Sequence, residues 1–258
     1  MTPELLREDH GKVCVLTLNR PGARNALSDS LLASLQAAFT NIKDDPAIHV
    51  VVLNANGPGF CAGHDLKEVL GKEKHGQFED LFDRCTAVMQ AIKQLPQPVI
   101  AAVNGVATAA GCQLVATCDL AVASEDALFG TPGVNIGLWC STPMVAVSRA
   151  VNQKAAMEML LTGDMIDAES AVRHGLVNRV VPHDALMEET MALAERIASK
   201  SRLVVGLGKQ AFYKQGEMDL DDAYAYASKV MTHNMLKADA AEGIGAFVEK
   251  RQPIWSNS

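Results

Sequence analysis

Two segments of this chain leave a glycine-containing loop and enter a helix. Phe60-Cys-Ala-Gly-His-Asp-Leu66 follows a Gly-rich loop, and Asn104-Gly-Val-Ala-Thr-Ala-Ala-Gly-Cys-Gln-Leu114 follows a strand. A helix start presents unpaired N–H groups and partial positive charge. Two such starts meeting at one point would polarise a carbonyl oxygen, an oxyanion hole made of backbone alone. Other common chemistries lack their residues. There is no G-x-S-x-G elbow, no H-E-x-x-H, no paired Cys/His spacing and no P-loop. Gly105 to Gly111 is not G-x-G-x-x-G, and the next acidic residue, Asp119, comes too soon to meet a ribose.

The elements that must carry these junctions are legible from periodicity. Val13–Leu18 alternates before Asn19-Arg20-Pro21 and predicts a strand; Val50–Leu53, Pro98–Val103 and Asp119–Ala123 read as further strands. Ser28 is suited to cap a helix bearing Leu31, Leu32, Leu35, Phe39 and Ile42 on one face. Asp65–Leu70 predicts a short helix, Phe78–Leu95 a long amphipathic one, and Ala109–Thr117 another. Strands alternating with helices fit parallel β-structure with crossover connections. Beyond about residue 145 strand signals thin out, with helices expected over 154–161, 168–174, 184–200, 202–215 and 219–250. The reading is an α/β core over residues 1–200 and a helical region over 201–258, the latter either a cap on its own core or an oligomerisation module.

Composition narrows the function. A chain of 258 residues lies near the size at which a single core stops growing. Net charge is −7 without a basic block, which argues against nucleic acid as a partner. Six cysteines, without a C-x-x-C pair, read as reduced and mostly buried thiols. The N-terminal residues show neither an apolar nor an Arg-rich amphipathic leader, and a cytoplasmic setting is expected. Two stretches lack charge altogether, 94–118 and 127–148, but their Pro, Gly and Asn content suits buried, site-lining backbone rather than a membrane span, so no membrane partner is expected.

The two junctions, together with Leu18-Asn-Arg-Pro…Asn25-Ala-Leu27, Thr162-Gly-Asp…Gly175-Leu-Val-Asn-Arg-Val-Val-Pro182 and Glu242-Gly-x-x-Ala-Phe-Val-Glu-Lys-Arg251, resemble the crotonase, or enoyl-CoA hydratase/isomerase, superfamily. The motifs run in the right order over nearly the whole chain. Gly105–Leu114 (GVATAAGCQL) and Thr131–Pro143 (TPGVNIGLWCSTP) mark one branch of it. The resemblance implies a spiral of ββα turns with a C-terminal helical trimerisation region, assembled as a homotrimer or hexamer. It implies an acyl-CoA thioester as the small-molecule partner, with coenzyme A entering as part of the substrate and no other cofactor. It places the hole donors on the N–H groups of His64 and Ala110, and CoA contacts on Arg24, Ala62, Phe247 and Lys250, the last two reaching a neighbouring subunit. No metal site is implied.

The chain departs from the hydratases of the family where their acid–base chemistry resides. The two glutamates that orient water and protonate the α-carbon correspond to Gln113 and Gly133, and the aspartate other members use corresponds to Ser141. Such a proton-transfer group is typically worth about 10²–10⁴-fold. The remaining polar candidates are Gln113, Asn135, Cys140, Ser141, Thr142 and the His64 ring. The expectation is an enoyl-CoA hydratase-like protein of weak or altered activity, of which installing glutamate at both positions would raise the rate if Gly133 accommodates a side chain. The alternatives are a non-catalytic acyl-CoA-binding protein, and a decarboxylase or thioester hydrolase on the same fold.

Overall fold

A computed structural model describes residues 2–258. Among the described residues nine strands form two sheets: β1 (Leu5–His10), β2 (Val13–Leu18), β3 (Val50–Ala55), β4 (Val99–Val103), β5 (Val106–Thr108), β6 (Leu120–Ser124), β7 (Leu128–Gly130), β8 (Met165–Asp167) and β9 (Arg179–Val181). The larger sheet has the order β1-β2-β3-β4-β6-β9 and the smaller the order β5-β7-β8. Every pairing from β2 to β9 in the large sheet is parallel; β1 alone runs antiparallel, as a hairpin with β2.

The helices are α1 (Asp29–Lys43), α2 (Leu66–Leu70), α3 (His75–Gln94), α4 (Ala110–Thr117), α5 (Ser141–Ala150), α6 (Gln153–Thr162), α7 (Ala168–His174), α8 (Leu186–Ala198), α9 (Arg202–Gln215), α10 (Leu220–Met235) and α11 (Ala238–Val248). The predicted elements of the first half are all present. Ser28 caps α1 by accepting from the Leu31 N–H at 3.1 Å. The segment 219–250, expected as one helix, is broken at Leu236-Lys237, where Asp239 turns into the interior. The sequence reading did not place β1, whose residues LLREDH are mostly polar and exposed and show no apolar alternation, nor the three-residue strands β5, β7, β8 and β9, because so few residues show no period and are fixed by their partners.

β3 and β4 are buried on both faces, which is why they read as unbroken apolar runs. Alternate residues serve two cores. Val13, Val15, Val50, Val52, Ile100 and Val122 pack under α8, while Leu16, Leu18, Val51, Leu53, Ala101 and Val103 face the larger core shared with α1, α3 and α4.

The tie between α9 and the sheet is ionic. Lys209 Nζ reaches Asp119 Oδ2 at 2.6 Å and donates to the carbonyls of Ile92 (2.8 Å) and Gln97 (3.0 Å). Asp119 also accepts from the Val99 N–H (2.7 Å) and the Tyr213 hydroxyl (2.8 Å). Burial pushes the Lys209 ammonium below its ordinary range, partly offset by Asp119. Lys209→Met is therefore expected to leave the part-buried Asp119 carboxylate without its cation and to lower the free energy of unfolding by about 2 kcal/mol, a loss measurable by chemical denaturation.

Candidate active site

The two junctions meet. The Cys61 N–H donates to the Val106 carbonyl at 3.1 Å and the Thr108 N–H donates to the Cys61 carbonyl at 3.0 Å, so the first loop lies as a bridge beside β5. Gly111 makes the approach possible. A Cβ there would overlap the Cys61 carbonyl oxygen and stand 2.8 Å from its carbon and 2.9 Å from its Cβ. Gly63 turns the first loop at φ +90°, and a Cβ on it would stand 3.1 Å from the Thr108 oxygen and 3.4 Å from the Ala110 nitrogen. Ala109 adopts φ +49° and ψ −116° at the start of α4, a conformation strained for any residue with a Cβ.

The expected donors are left unpaired. Among the described residues neither the His64 N–H nor the Ala110 N–H donates to a protein acceptor. Each stands beside a glycine or alanine, Gly63 before His64 and Ala109 and Gly111 around Ala110. Around them the side chains are short of partners. Both ring nitrogens of His64 are buried without a hydrogen bond, and the ring meets Phe82 edge-on at 5.6 Å between centroids. Burial lowers the tendency of His64 to take a proton, against a smaller opposing pull from Asp29. Gln113 lies one turn into α4 from Ala110, is buried, and leaves Oε1 unpaired.

Gly133 sits in a short 3-10 turn, Pro132–Ile136, and its carbonyl accepts from the Leu138 N–H at 2.9 Å. Its φ is not positive, but a Cβ there would stand 2.7 Å from the Leu138 oxygen and 2.8 Å from Cys140 Sγ. The expectation that glutamate at both positions raises the rate is thereby corrected: the thiol and the 138–140 backbone fill the space a side chain at Gly133 would need. Burial raises the Cys140 thiol above its ordinary range, with the Gly133 backbone pulling weakly the other way. Burial pushes Cys61 and Cys112 up to about 12. All six cysteines are free and buried, as expected, and none is poised as a thiolate. Ser141 is exposed at the start of α5 and its Oγ donates to the Trp139 carbonyl at 3.4 Å; Asn135 is exposed and donates to the Gly163 carbonyl at 3.4 Å. Neither touches a base.

Of the CoA-contact candidates, Arg24 and Ala62 come together, the Ala62 N–H donating to the Arg24 carbonyl at 3.0 Å. Arg24 is exposed, with no carboxylate partner among the described residues. Phe247 and Lys250 lie at the end of α11, both exposed, joined by the Lys250 N–H donating to the Phe247 carbonyl at 3.3 Å. Among the described residues no group of His, Cys, Asp and Glu could hold a metal ion, and no helix is long and apolar enough to cross a membrane.

Comparison with known proteins gives the chain's family. A sequence description of the enoyl-CoA hydratase/isomerase family matches residues 8–258. The chain belongs to that family. It is 50% identical over 242 residues to the enoyl-CoA hydratase domain-containing protein 3, mitochondrial, of Homo sapiens, covering 94% of this chain and 80% of the relative. This is the branch marked by the Gly105–Leu114 and Thr131–Pro143 segments. The crystal structure of human enoyl coenzyme A hydratase domain-containing protein 3 superposes with a TM-score of 0.95 at 48% identity, covering 98% of this chain and 100% of that one. An enoyl-CoA hydratase from Mycobacterium smegmatis superposes with a TM-score of 0.96 at 53% identity, over 98% and 99% of the two chains. The crotonase fold expected from the motifs is thus the fold of this family member.

The expected cytoplasmic setting is overturned. The relatives from Rattus norvegicus, Mus musculus, Danio rerio, Homo sapiens and Xenopus laevis are all named mitochondrial. A cellular address is read from a targeting segment and not from the residues that build the fold, so the core motifs carry no sign of it.

Residues the sequence reading left without a role are Arg20, Asn25 and Asp65. Asn25 is fully buried at φ +54°, and its amide donates to the carbonyls of Asn56 (2.9 Å) and Gly59 (2.8 Å), holding the loop that leads into the first junction. The signal was available in the Asn-Arg-Pro…Asn-Ala-Leu spacing: an Asn where a chain turns tolerates the left-handed region and has a side chain that bonds backbone.

Gly111→Ala tests the junction. The added methyl has no space against Cys61, so the variant is expected to melt lower by several degrees or to fail to fold, in a thermal scan beside Gly245→Ala, where the Cβ meets nothing within 4 Å.

Proposed function

We propose that this enoyl-CoA hydratase/isomerase family protein binds acyl-CoA thioesters at the His64–Ala110 junction. The thioester oxygen accepts from both N–H groups, and negative charge developing on it is held there. The observation that carries this reading is the pair of unpaired N–H groups brought together by the Cys61–Gly111 contact. Donors placed in this way are typically worth about 10²–10³-fold each toward an enolate-like oxygen.

Proton transfer is the missing half. Gln113 is an amide with no useful pKa, and at Gly133 even a Cβ is excluded. Gln113 orients a water by hydrogen bonding but takes no proton from it. The site supports a slow hydratase, or one whose reaction needs only charge stabilisation at the oxygen, such as loss of carbon dioxide from a carboxyacyl thioester. The closed space at Gly133 favours a second reading, an acyl-CoA-binding protein without turnover. Product from any member of an acyl-CoA panel, read by mass spectrometry, separates the two.

The CoA moiety would be held by Arg24 and by the carbonyl of Ala62, with Phe247 and Lys250 completing the site from a neighbouring copy. Helix α10 buries no residue within its own chain, and Leu236 and Phe247 are 81% and 85% exposed. Apolar area of that kind marks a contact surface, in keeping with residues 201–258 as the oligomerisation region of a homotrimer or hexamer. Light scattering at micromolar concentration should return a mass of at least three chains; a monomer would overturn the assembly.

Hydration of crotonyl-CoA is expected to be feeble, with a turnover lower than that of a two-glutamate hydratase by about 10² or more. Gln113→Glu should raise it, because the near-isosteric carboxylate takes the place of a buried side chain whose Oε1 has no partner. Glutamate at Gly133 should instead lower stability without restoring rate. A wild-type turnover equal to that of ordinary hydratases, followed spectrophotometrically by loss of the enoyl absorbance, would overturn this reading and move proton transfer to His64, Ser141 or another group.

A further inference from the structure

The His64 donor does not aim itself. His64 forms a one-residue parallel bridge with Leu27: the Leu27 N–H donates to the Gly63 carbonyl at 2.7 Å, and the Asp65 N–H donates to the Leu27 carbonyl at 3.2 Å. Along extended backbone, successive groups point to opposite sides. With the groups before and after it turned toward Leu27, the His64 N–H is turned the other way and left free.

One side chain grips both partners of this bridge from outside. Arg20 Nη1 donates to the carbonyl of Ala26, the residue before Leu27, at 2.5 Å. Its Nη2 reaches Oδ2 of Asp65, the residue after His64, at 3.0 Å. Its Nε pairs with Glu4 Oε1 at 3.0 Å, and Glu4 Oε2 accepts from the hydroxyls of Ser28 (3.0 Å) and Ser30 (2.6 Å). Asp65 also accepts from the Lys67 N–H at 3.1 Å, so the carboxylate that Arg20 holds is the cap of α2. Burial alone would raise the Asp65 carboxyl, but the guanidinium and the capping N–H groups outweigh it and hold it below the usual range.

We infer that Arg20 is a positioning residue of the oxyanion hole: its two terminal nitrogens clamp the Ala26–Leu27 and His64–Asp65 segments together, its Nε is anchored on Glu4, and the clamp sets the direction of the His64 N–H. This rests on the acyl-thioester reading of the site. Arg20 touches no reacting atom in this scheme. It acts through the bridge, and its planar fork is what lets one residue hold three acceptors at once; an ammonium at that place is a single point of charge. Misplacing a group at a reacting centre by about 1 Å costs on the order of 10²-fold, so a small rotation of the junction is enough to matter.

The test uses the full chain and 4-(dimethylamino)cinnamoyl-CoA, an enoyl thioester whose absorbance moves to the red as its carbonyl oxygen gains negative charge. The wild type is expected to bind the probe and shift its spectrum. Arg20→Lys keeps the charge and loses the fork; Asp65→Asn keeps a capping oxygen and loses the ion pair. Both should still bind the probe, with an affinity within about threefold if the remaining contacts persist, and both should lose most of the red shift. Asp239→Asn is the comparison. Asp239 is buried and accepts from the Ser256 (2.7 Å) and Asn257 (3.1 Å) N–H groups, clamping the C-terminal tail. That variant should melt lower and leave the shift intact. If folded Arg20→Lys and Asp65→Asn proteins both give the wild-type shift, the role of Arg20 falls and the hole stands. If the wild type binds the probe without a shift, the hole falls and this inference with it; if it does not bind at all, the acyl-CoA reading falls first.

Discussion

The contact of Gly111 with the Cys61 carbonyl is the constraint on which the rest depends. Two chain segments separated by some fifty residues, each at the start of a helix, are pressed together more closely than any side chain allows. The bridge from Cys61 to β5 continues that contact, and the α/β frame exists to hold it. β3 delivers the first loop and β4 leads into the second, from adjacent positions in a parallel sheet buried on both faces. Because adjacent parallel strands end on the same side, their outgoing loops have no choice but to be neighbours.

Around this point the protein spends its polar groups on backbone rather than on catalytic side chains. Asn25 holds the loop before the first junction, Asp65 caps the helix after it, and Arg20 links the two. Elsewhere, the part-buried Lys209–Asp119 pair fastens α9 to the ends of α3, β4 and β6. A pair of this kind stabilises little in net terms, yet it fixes one arrangement, because any other leaves a charge unpaired. The C-terminal helices are thereby registered against the core while α10 and the end of α11 stay apolar and uncovered.

The chemistry divides along the same line. Backbone donors are a property of the fold and persist with almost any sequence that keeps the glycines and the small residues at the junction. Acid–base groups are properties of single side chains and are lost by single substitutions. At Gln113 the change leaves an amide whose oxygen lacks a partner, so the position is still polar. At Gly133 there is no side chain at all, and the Cys140 thiol stands in the volume one there would occupy. On the proposed reading, a site with backbone donors and no carboxylate at these two positions is suited to holding a thioester, and to reactions that ask for charge stabilisation alone.

Much of this was legible in the amino-acid sequence. The apolar runs Val50–Leu53 and Pro98–Val103, the Ser28 cap, the amphipathic helix ending at Leu95 and the two glycine-containing junctions are local patterns, and local patterns survive in one dimension. So do residue types, which is why the absence of carboxylate at Gln113 and Gly133 could be stated at once. The structure alone decided what depends on distance. The three-residue strands β5, β7, β8 and β9 have no period of their own and exist because a partner strand is present. The obstruction at Gly133 comes from Leu138 and Cys140, which turn back on it across a loop. The pairing of Lys209 with Asp119 spans ninety residues, and that of Arg20 with Asp65 spans forty-five. Nothing in the spacing of those charges announces a partner, because an ion pair is chosen by where the folded backbone places its two ends, and that placement is set by the packing of the whole core.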